Sequence, residues 1–161
     1  MRRIVWCLVA VLAAAGTGCG LFKKAAHAVT PRADPPEAIR WNGVLFVPTD
    51  SLADTTTMPY GTAWMAPLSP NNVIRARVNL VRARPGSRYD WRIHLGACAN
   101  DRGPFGPAEA FPEIVADSDG HAVGVAVLQL GFPNNGAYFV RVDAVDSGAP
   151  DKFCGTLIKP G

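Results

Sequence analysis

Histidine and cysteine are the residues whose chemistry this chain could use, and it contains few of either. Its 161 residues include three histidines, His27, His94 and His121, and four cysteines. Imidazole nitrogen holds copper or zinc at neutral pH, and a paired metal centre needs several such ligands. Three scattered histidines therefore restrict the metal chemistry that the chain can perform.

Signatures of other enzyme classes are absent from the sequence. It has no Gly-x-Ser-x-Gly elbow, phosphate-binding loop, His-Glu-x-x-His pair or Cys-x-x-Cys motif. The chain is 48% hydrophobic and 18% charged, which is typical of a globular domain. Its net charge of +3 is too small to indicate nucleic-acid binding.

The first 18 residues have the pattern of an export signal, in which Arg2-Arg3 precedes the apolar run Ile4–Ala15. The next residues, Gly16-Thr17-Gly18-Cys19, resemble the lipobox of bacterial lipoproteins, in which the cysteine is lipidated and becomes the mature N-terminus. This resemblance implies an exported protein anchored by lipid on Cys19 in the cell envelope, on the periplasmic or outer surface. Cleavage by the ordinary signal peptidase, with Cys19 incidental, is the alternative.

The export signal also assigns the remaining cysteines. Cys7 lies in the signal peptide and Cys19 is the candidate lipid site, which leaves Cys98 and Cys154. Because exported proteins mature in an oxidising compartment, this pair predicts a disulfide rather than two reactive thiols. Closing so long a loop would stabilise the fold by about 4 kcal/mol in the chain-entropy account.

The mature chain divides into a tether and one domain. Residues 19–40 contain Pro31, Pro35 and Pro36 without periodicity, which predicts a flexible tether. Residues 41–161 are predicted to form the domain, with a short strand at 44–47 and a polar loop at 49–59. From Tyr60 onward apolar and polar side chains alternate, with strands predicted at 74–80, 89–95, 114–116, 122–130, 137–145 and 153–158. A loop is expected at 96–110, and Asp119-Gly120 predicts a hairpin. About eight strands with short turns predict an all-β, antiparallel Greek-key barrel or sandwich.

Four stretches in this domain, taken in order, resemble copper–zinc superoxide dismutase. They are WRIHLGAC (91–98), FPEIVADSDGHA (111–122), GAYFVRVDA (136–144) and FCGTLI (153–158). The family has a His-x-His strand, a disulfide-bearing loop, an acidic Asp-Gly hairpin, a strand that ends in a copper-ligating histidine, and a final Cys-Gly. The resemblance implies an eight-stranded Greek-key barrel in which Cys98 and Cys154 tie the loop to the last strand.

The same resemblance implies a metal site that has decayed. The family's His-x-His falls on Arg92-Ile93-His94, and its later copper ligand falls on Asp143. Residues 99–120, where the bridging and zinc ligands belong, contain no histidine. The family's guiding arginine falls on Asp151. Because a guanidinium is permanently cationic and repels a metal, we expect no catalytic residue and no cofactor. His94 and Asp143 remain candidates for copper.

Arg92 and Asp143 occupy positions that converge on one metal in the resembled fold. We expect either an ion pair that cross-links two strands where copper once bound, or two solvated side chains that do not meet. His94 is interpreted as a hydrogen-bonded structural residue, with metal ligation as the alternative, and His121 as a surface residue beside a turn.

Basic residues are concentrated before and within the strand at 89–95. Residues 75–92 contain six arginines and one opposing acid, Asp90; the arginines are Arg75, Arg77, Arg82, Arg84, Arg88 and Arg92. They predict one basic hairpin, which could attract anionic lipid headgroups near the anchor. Alternatively, they form a solvated strand face.

These patterns together predict a non-catalytic, superoxide-dismutase-like envelope lipoprotein with a structural or binding role. Its partners would be the membrane, through the N-terminal lipid, and an anionic lipid or an envelope protein, with no nucleic acid. One alternative is a copper-only or weak superoxide dismutase that uses His94. Another is a mononuclear copper-binding module involving His94, Asp143 and His121.

Overall fold

The computed structural model describes residues 33–47, 58–68, 72–145 and 152–161. The expected signal peptide and residues 19–32 of the expected tether, Cys19 among them, lie outside the described residues, as does Asp151. A compact unit spans Asp34–Gly161, so it begins seven residues before the expected domain boundary at Trp41. Within the described ranges, none of the helices is long and apolar enough to cross a membrane.

The described part of this unit contains nine strands and two short 3-10 helices. The strands are β1 (Trp41–Phe46), β2 (Tyr60–Leu68), β3 (Val73–Val81), β4 (Arg88–Ala97), β5 (Asn100–Pro104), β6 (Ile114–Val115), β7 (Ala122–Leu128), β8 (Tyr138–Ala144) and β9 (Lys152–Leu157). The 3-10 helices are Glu37–Ile39 and Ala108–Ala110. The all-β class predicted from the alternation is therefore confirmed.

Eight strands follow one hydrogen-bonded order, β5-β4-β8-β9-β1-β2-β3-β7, and every pairing in it is antiparallel. The short β6 pairs with β4, near one end of this order, and also lies against β7, the strand at the other end. The consecutive strands β3 and β4 are not neighbours, so the chain crosses between them. This curled sheet agrees with the predicted antiparallel Greek-key barrel or sandwich.

The core residues of β3 and β4 are the apolar residues that the period-two alternation predicts to face inward. On β3 the inward residues Ile74, Ala76, Val78 and Leu80 are at most 1% exposed. On β4 the inward residues Tyr89, Trp91 and Ile93 are at most 2% exposed. Because every second residue of these strands is buried, the charged residues between them must face outward.

The loop predicted at 96–110 contains more structure than expected. β5 turns back along β4, and a 3-10 helix follows at Ala108–Ala110. The Asn-Asp-Arg-Gly-Pro sequence of β5 has no apolar alternation, so its pairing is set by its neighbour rather than by a core-facing pattern. β2, which the alternation did not delimit, is the other strand that the structure adds.

The Asp119-Gly120 turn forms, but the hairpin predicted around it does not. The backbone amide of Asp117 donates to the carbonyl of His121, whereas β6 pairs with β4 and β7 pairs with β3. The indole of Trp91 lies against both arms of the predicted hairpin. On the β6 side, its Nε1 donates to the Pro112 carbonyl at 3.0 Å. A Cβ on Gly124 of β7 would lie 2.6 Å from the same Nε1 atom. The space between β6 and β7 is therefore taken by a core side chain.

The predicted disulfide is present. Cys98 lies in the turn between β4 and β5, and it is bonded to Cys154 of β9, with the two Cα atoms 6.0 Å apart. Their sequence separation is 56 residues. The bond therefore ties the β4–β5 turn to a strand that lies two places away in the sheet, beyond β8.

The six arginines do not form one basic hairpin, because β3 and β4 are not paired. Several of them have partners instead: Arg75 and Arg77 lie 3.7 and 2.7 Å from the Asp34 carboxylate. Arg88 lies 3.6 Å from Glu113, and the guanidinium of Arg82 lies 5.5 Å from the ring centre of Tyr60. Asp34, expected in the tether, is thus held on β3.

Candidate functional site

The outward residues of β4 and β8 form a charged surface at the positions singled out by the family resemblance. The pairs that lie opposite each other in the ladder are Asp90 with Asp143, Arg92 with Arg141, and His94 with Phe139. Since alternate residues of a strand share a face, these six side chains lie on one side of the sheet. The fold therefore brings Arg92, His94 and Asp143 together.

A hollow of about 220 Å³ opens on this face. It is lined by Asp90, Trp91, Arg92, His94, Arg141 and Asp143. Arg92, Arg141 and Asp143 are each partly buried, whereas Asp90 is exposed. Two strands joined by a continuous ladder form its floor, so the charged groups are mounted on a rigid element.

The ion pair in this hollow is not the expected one. Nε of Arg141 lies 2.8 Å from Oδ2 of Asp143, and the NH2 group of Arg141 donates to Oδ1 at 3.1 Å. This two-point contact is the strong form of a guanidinium–carboxylate pair. Among the described residues, Arg92 forms no ion pair within 4.0 Å, so the expected Arg92–Asp143 pair is not formed. The register explains this, because it places Arg92 opposite Arg141 rather than opposite Asp143.

Asp101 of β5 is the site residue that the sequence did not reveal. Its Oδ1 lies 2.9 Å from Nδ1 of His94 and accepts the backbone amide of Gly103 at 2.8 Å. Its Oδ2 lies 3.7 Å from NH1 of Arg141. The Gly103 amide, and then the His94 ring, hold the pKa of the Asp101 carboxyl below its ordinary value of 3.8. The sequence signal that could have identified Asp101 is the Asp-x-Gly pattern at 101–103, a turn pattern in which the carboxylate accepts the backbone amide two residues later.

His94 is a hydrogen-bonded structural residue in this arrangement, one of the two roles that its sequence position allowed. Its side chain is 12% exposed and contacts Asp101 through Nδ1. Its ring centre lies 5.2 Å from that of Phe139, the residue opposite in the ladder. Phe139 lies on the outer face of the sheet, yet its side chain is only 1% exposed. The His94 ring therefore packs against a buried aromatic side chain.

His121 lies on the surface, away from the hollow. Its backbone amide donates to Oδ1 of Asp117 at 2.8 Å, and this bond is the largest cause that lowers the pKa of the Asp117 carboxyl. A second amide, from Asp119, donates to the same oxygen at 2.9 Å. Both contacts are those of a tight turn, and they assign His121 no part in the candidate site.

The donors in the hollow do not fit a copper or zinc ion. His94 supplies the one imidazole, its Nδ1 faces the Asp101 carboxylate, and the Asp143 carboxylate is held by Arg141. Two guanidinium groups line the same space and would repel a metal. Across the described ranges, no group of three or more His, Cys, Asp or Glu side chains is placed to hold a metal ion.

A larger groove of about 630 Å³ lies over β1, β2 and β3, but its two arginines and Asp34 already have partners within the protein. Its lining includes Asp34, Arg40, Trp64 and Arg77. Arg77 is paired with Asp34, and the guanidinium of Arg40 lies 5.0 Å from the Trp64 ring centre. Trp64 is 8% exposed, so little of the indole is offered to a ligand. The β4–β8 hollow is the better candidate.

No protein-family model matches this chain, and no curated protein matches it significantly. The function of the chain is therefore inferred from the residues of the hollow, from the disulfide, and from the resemblance of the sequence stretches that supply them.

Proposed function

We propose that this chain is an exported, lipid-anchored envelope protein whose superoxide-dismutase-like barrel is non-catalytic and has a binding role. One observation carries the proposal. The positions that resemble copper ligands, 92, 94 and 143, meet in one hollow, and there they contain one imidazole, one carboxylate and one guanidinium. Such a set can hold a polar ligand by charge and hydrogen bonding, but it is poorly suited to redox chemistry on copper.

The likeness to the dismutase family is supported by two long-range relationships. The disulfide joins the loop after the strand of His94 to the last strand, as the resemblance implies. The strand of Asp143 lies directly beside the strand of Arg92, although the two are far apart in the sequence. Both relationships are those that the resemblance implies, and they support the proposal in that sense.

Export and anchoring rest on the N-terminal sequence, and the disulfide supports export because such bonds persist in oxidising compartments. The test is mass spectrometry of the protein purified from membranes of a bacterial host. We expect a mature chain that begins at Cys19 with lipid attached. Cys19→Ala should abolish the lipid mass, whereas Cys7→Ala, in the removed segment, should leave it unchanged. An unlipidated mature chain from the unaltered protein would contradict the anchor.

The non-catalytic assignment is tested by the metal content and the activity of the purified mature protein after exposure to copper and zinc. We expect little bound metal and no superoxide consumption. Stoichiometric copper together with superoxide consumption would overturn the assignment.

A gain-of-binding variant tests whether the hollow corresponds to the family's metal position. The double substitution Arg92→His and Asp143→His removes one guanidinium and adds two imidazoles beside His94. We expect this variant to bind copper more tightly than the unaltered protein. Equal binding by both proteins would contradict the correspondence, provided that their melting curves show that both are folded.

A mononuclear copper-binding role is the second candidate: His94 and Asp143 line the same hollow, but copper would have to displace Arg141 from the Asp143 carboxylate. It predicts stoichiometric copper without superoxide consumption, lost on His94→Ala and kept on His121→Ala. The metal-content measurement therefore separates the two proposals.

A further inference from the structure

We propose that the β4–β8 hollow binds a small zwitterion, a molecule or headgroup with one primary ammonium and one phosphate or carboxylate. This inference rests on the proposed binding role and specifies its ligand. The site consists of Asp90 and Arg92 on β4, with the Arg141–Asp143 pair on β8 as the opposite wall.

Asp90 and Arg92 are oppositely charged, share one face and are left without partners. Within the part of the chain that the structure describes, neither side chain forms an ion pair or a side-chain hydrogen bond. The other two charges of the hollow behave differently, because Arg141 and Asp143 bind each other through two contacts of 2.8 and 3.1 Å. The hollow therefore offers one unpaired carboxylate and one unpaired guanidinium.

The ladder arranges these charges in two rows. Asp90 lies opposite Asp143, and Arg92 lies opposite Arg141. Like charges directly opposite each other in a sheet destabilise it. Two residues along a strand separate the acidic row from the basic row by about 6.7 Å. A ligand whose ammonium meets the acidic row and whose anionic group meets the basic row would relieve both repulsions.

Ligands with a single charge fit this arrangement less well. A simple anion bound at Arg92 would lie near two carboxylates, and a simple cation bound at Asp90 would lie near two guanidiniums. On the side away from Asp90, Asp143 lies opposite Lys152 of β9. Because a positive charge already lies beside Asp143, Asp90 is the carboxylate better placed to receive an ammonium. Charge complementarity therefore favours a ligand that carries both signs.

The size of the hollow limits the ligand to a small one. Its volume of about 220 Å³ lies below the roughly 300–1,000 Å³ of sites that take drug-sized ligands. Phosphoethanolamine and short amino acids are small enough and carry the required pair of charges. The two sources of this chemistry are a free metabolite and the headgroup of an ethanolamine lipid.

Calorimetric titration of the full mature chain with four probes tests the proposal. O-phosphoethanolamine and β-alanine carry both charges, whereas inorganic phosphate and ethylamine carry one sign each. We expect at least one zwitterion to bind with a Kd about tenfold or more below that of either singly charged probe. Phosphate binding as tightly as phosphoethanolamine would overturn the proposal in favour of a simple anion site. No binding of either zwitterion would also overturn it.

Matched variants locate the site. Arg92→Gln and Asp90→Asn should each raise the Kd of the zwitterion about tenfold, and Arg92→Gln alone should weaken phosphate binding. Arg82→Gln and Asp119→Asn remove the same charges from surface turns outside the hollow, and they should leave the Kd unchanged. Loss of binding on Arg92→Gln with no effect of Asp90→Asn would overturn the zwitterion assignment. Melting curves of all four variants show whether each is folded.

Vesicle binding separates the two sources. The full mature chain with Cys19→Ser, which carries no lipid, is mixed with phosphatidylcholine vesicles with and without phosphatidylethanolamine. Binding that requires phosphatidylethanolamine and is lost on Asp90→Asn supports the headgroup. Binding of free phosphoethanolamine without vesicle binding supports the metabolite. If none of the zwitterionic probes binds, this inference alone is contradicted, whereas copper-dependent superoxide consumption would contradict the proposed function.

Discussion

The Nδ1 atom of His94 lies 2.9 Å from a carboxylate oxygen of Asp101, and this contact joins β4 to β5. The Cys98–Cys154 bond holds the turn between the same two strands. The β4–β5 segment is therefore fastened at two points, one covalent and one polar.

The Asp101 contacts predict a pH dependence of stability. Folding lowers the pKa of the Asp101 carboxyl. The carboxylate therefore contributes to the free energy of unfolding above the ordinary value of 3.8, and this contribution is lost as the pH falls through the lowered folded value. The groups that face it are His94, Arg141 and the Gly103 amide, with Asp143 behind Arg141. Asp101→Asn should therefore flatten the rise in melting temperature between the lowered folded pKa and 3.8, whereas Asp119→Asn should not. Identical profiles for Asp101→Asn and the unaltered protein would contradict the assigned contacts.

Removal of the disulfide should lower stability without unfolding the core. The bond spans 56 positions, and the chain-entropy account assigns about 4 kcal/mol to a loop of this size. We expect the double substitution Cys98→Ser and Cys154→Ser to reduce the free energy of unfolding in urea by up to about that amount. The unaltered protein in reducing agent should behave like the variant. A midpoint that reductant does not move would mean that the bond contributes little.

Gly124 tests the position of the Trp91 indole between β6 and β7. A Cβ at Gly124 would lie 2.6 Å from Nε1 of Trp91 and 2.8 Å from Cγ2 of Ile114. Gly124→Ala should cost about 1–3 kcal/mol of unfolding free energy, because overpacking displaces a buried side chain. Gly131→Ala is the control, since an added Cβ there meets nothing within 4 Å. Equal stability of the two variants would contradict this packing.

Asp34 tests whether the segment before β1 is held on the barrel. It lies 2.7 Å from NH1 of Arg77 and 3.7 Å from NH2 of Arg75, with its side chain 29% exposed. Because such pairs are partly screened by water, Asp34→Asn should cost only about 0.2–1 kcal/mol. A double-mutant cycle with Arg77→Gln measures the coupling, and limited proteolysis shows whether cleavage near residue 34 becomes faster. A coupling energy of zero together with unchanged proteolysis would place the segment off the barrel.

Local alternation made much of the fold predictable. The inward residues of β3 and β4 are buried as their spacing indicates, and the strand pattern led to the correct all-β class. β5 was missed because its residues carry no such pattern, and Asp101 was missed with it. The Asp119-Gly120 turn was correct, but turn chemistry does not reveal that a tryptophan from another strand lies between its two arms.

The amino-acid sequence by itself determined which residues face inward, which cysteines could pair, and that imidazoles are too few for a paired metal centre. These properties depend on residue type and on spacing within single strands, which is local information. The tertiary structure alone decided that Asp143 pairs with Arg141 rather than Arg92, and that Asp101 holds His94. Arg92 lies opposite Arg141 rather than Asp143 because of the register between β4 and β8, which are distant in sequence, and Asp101 reaches His94 because β5 folds back along β4. A shift of register by one residue would move each charge to the other face of the sheet.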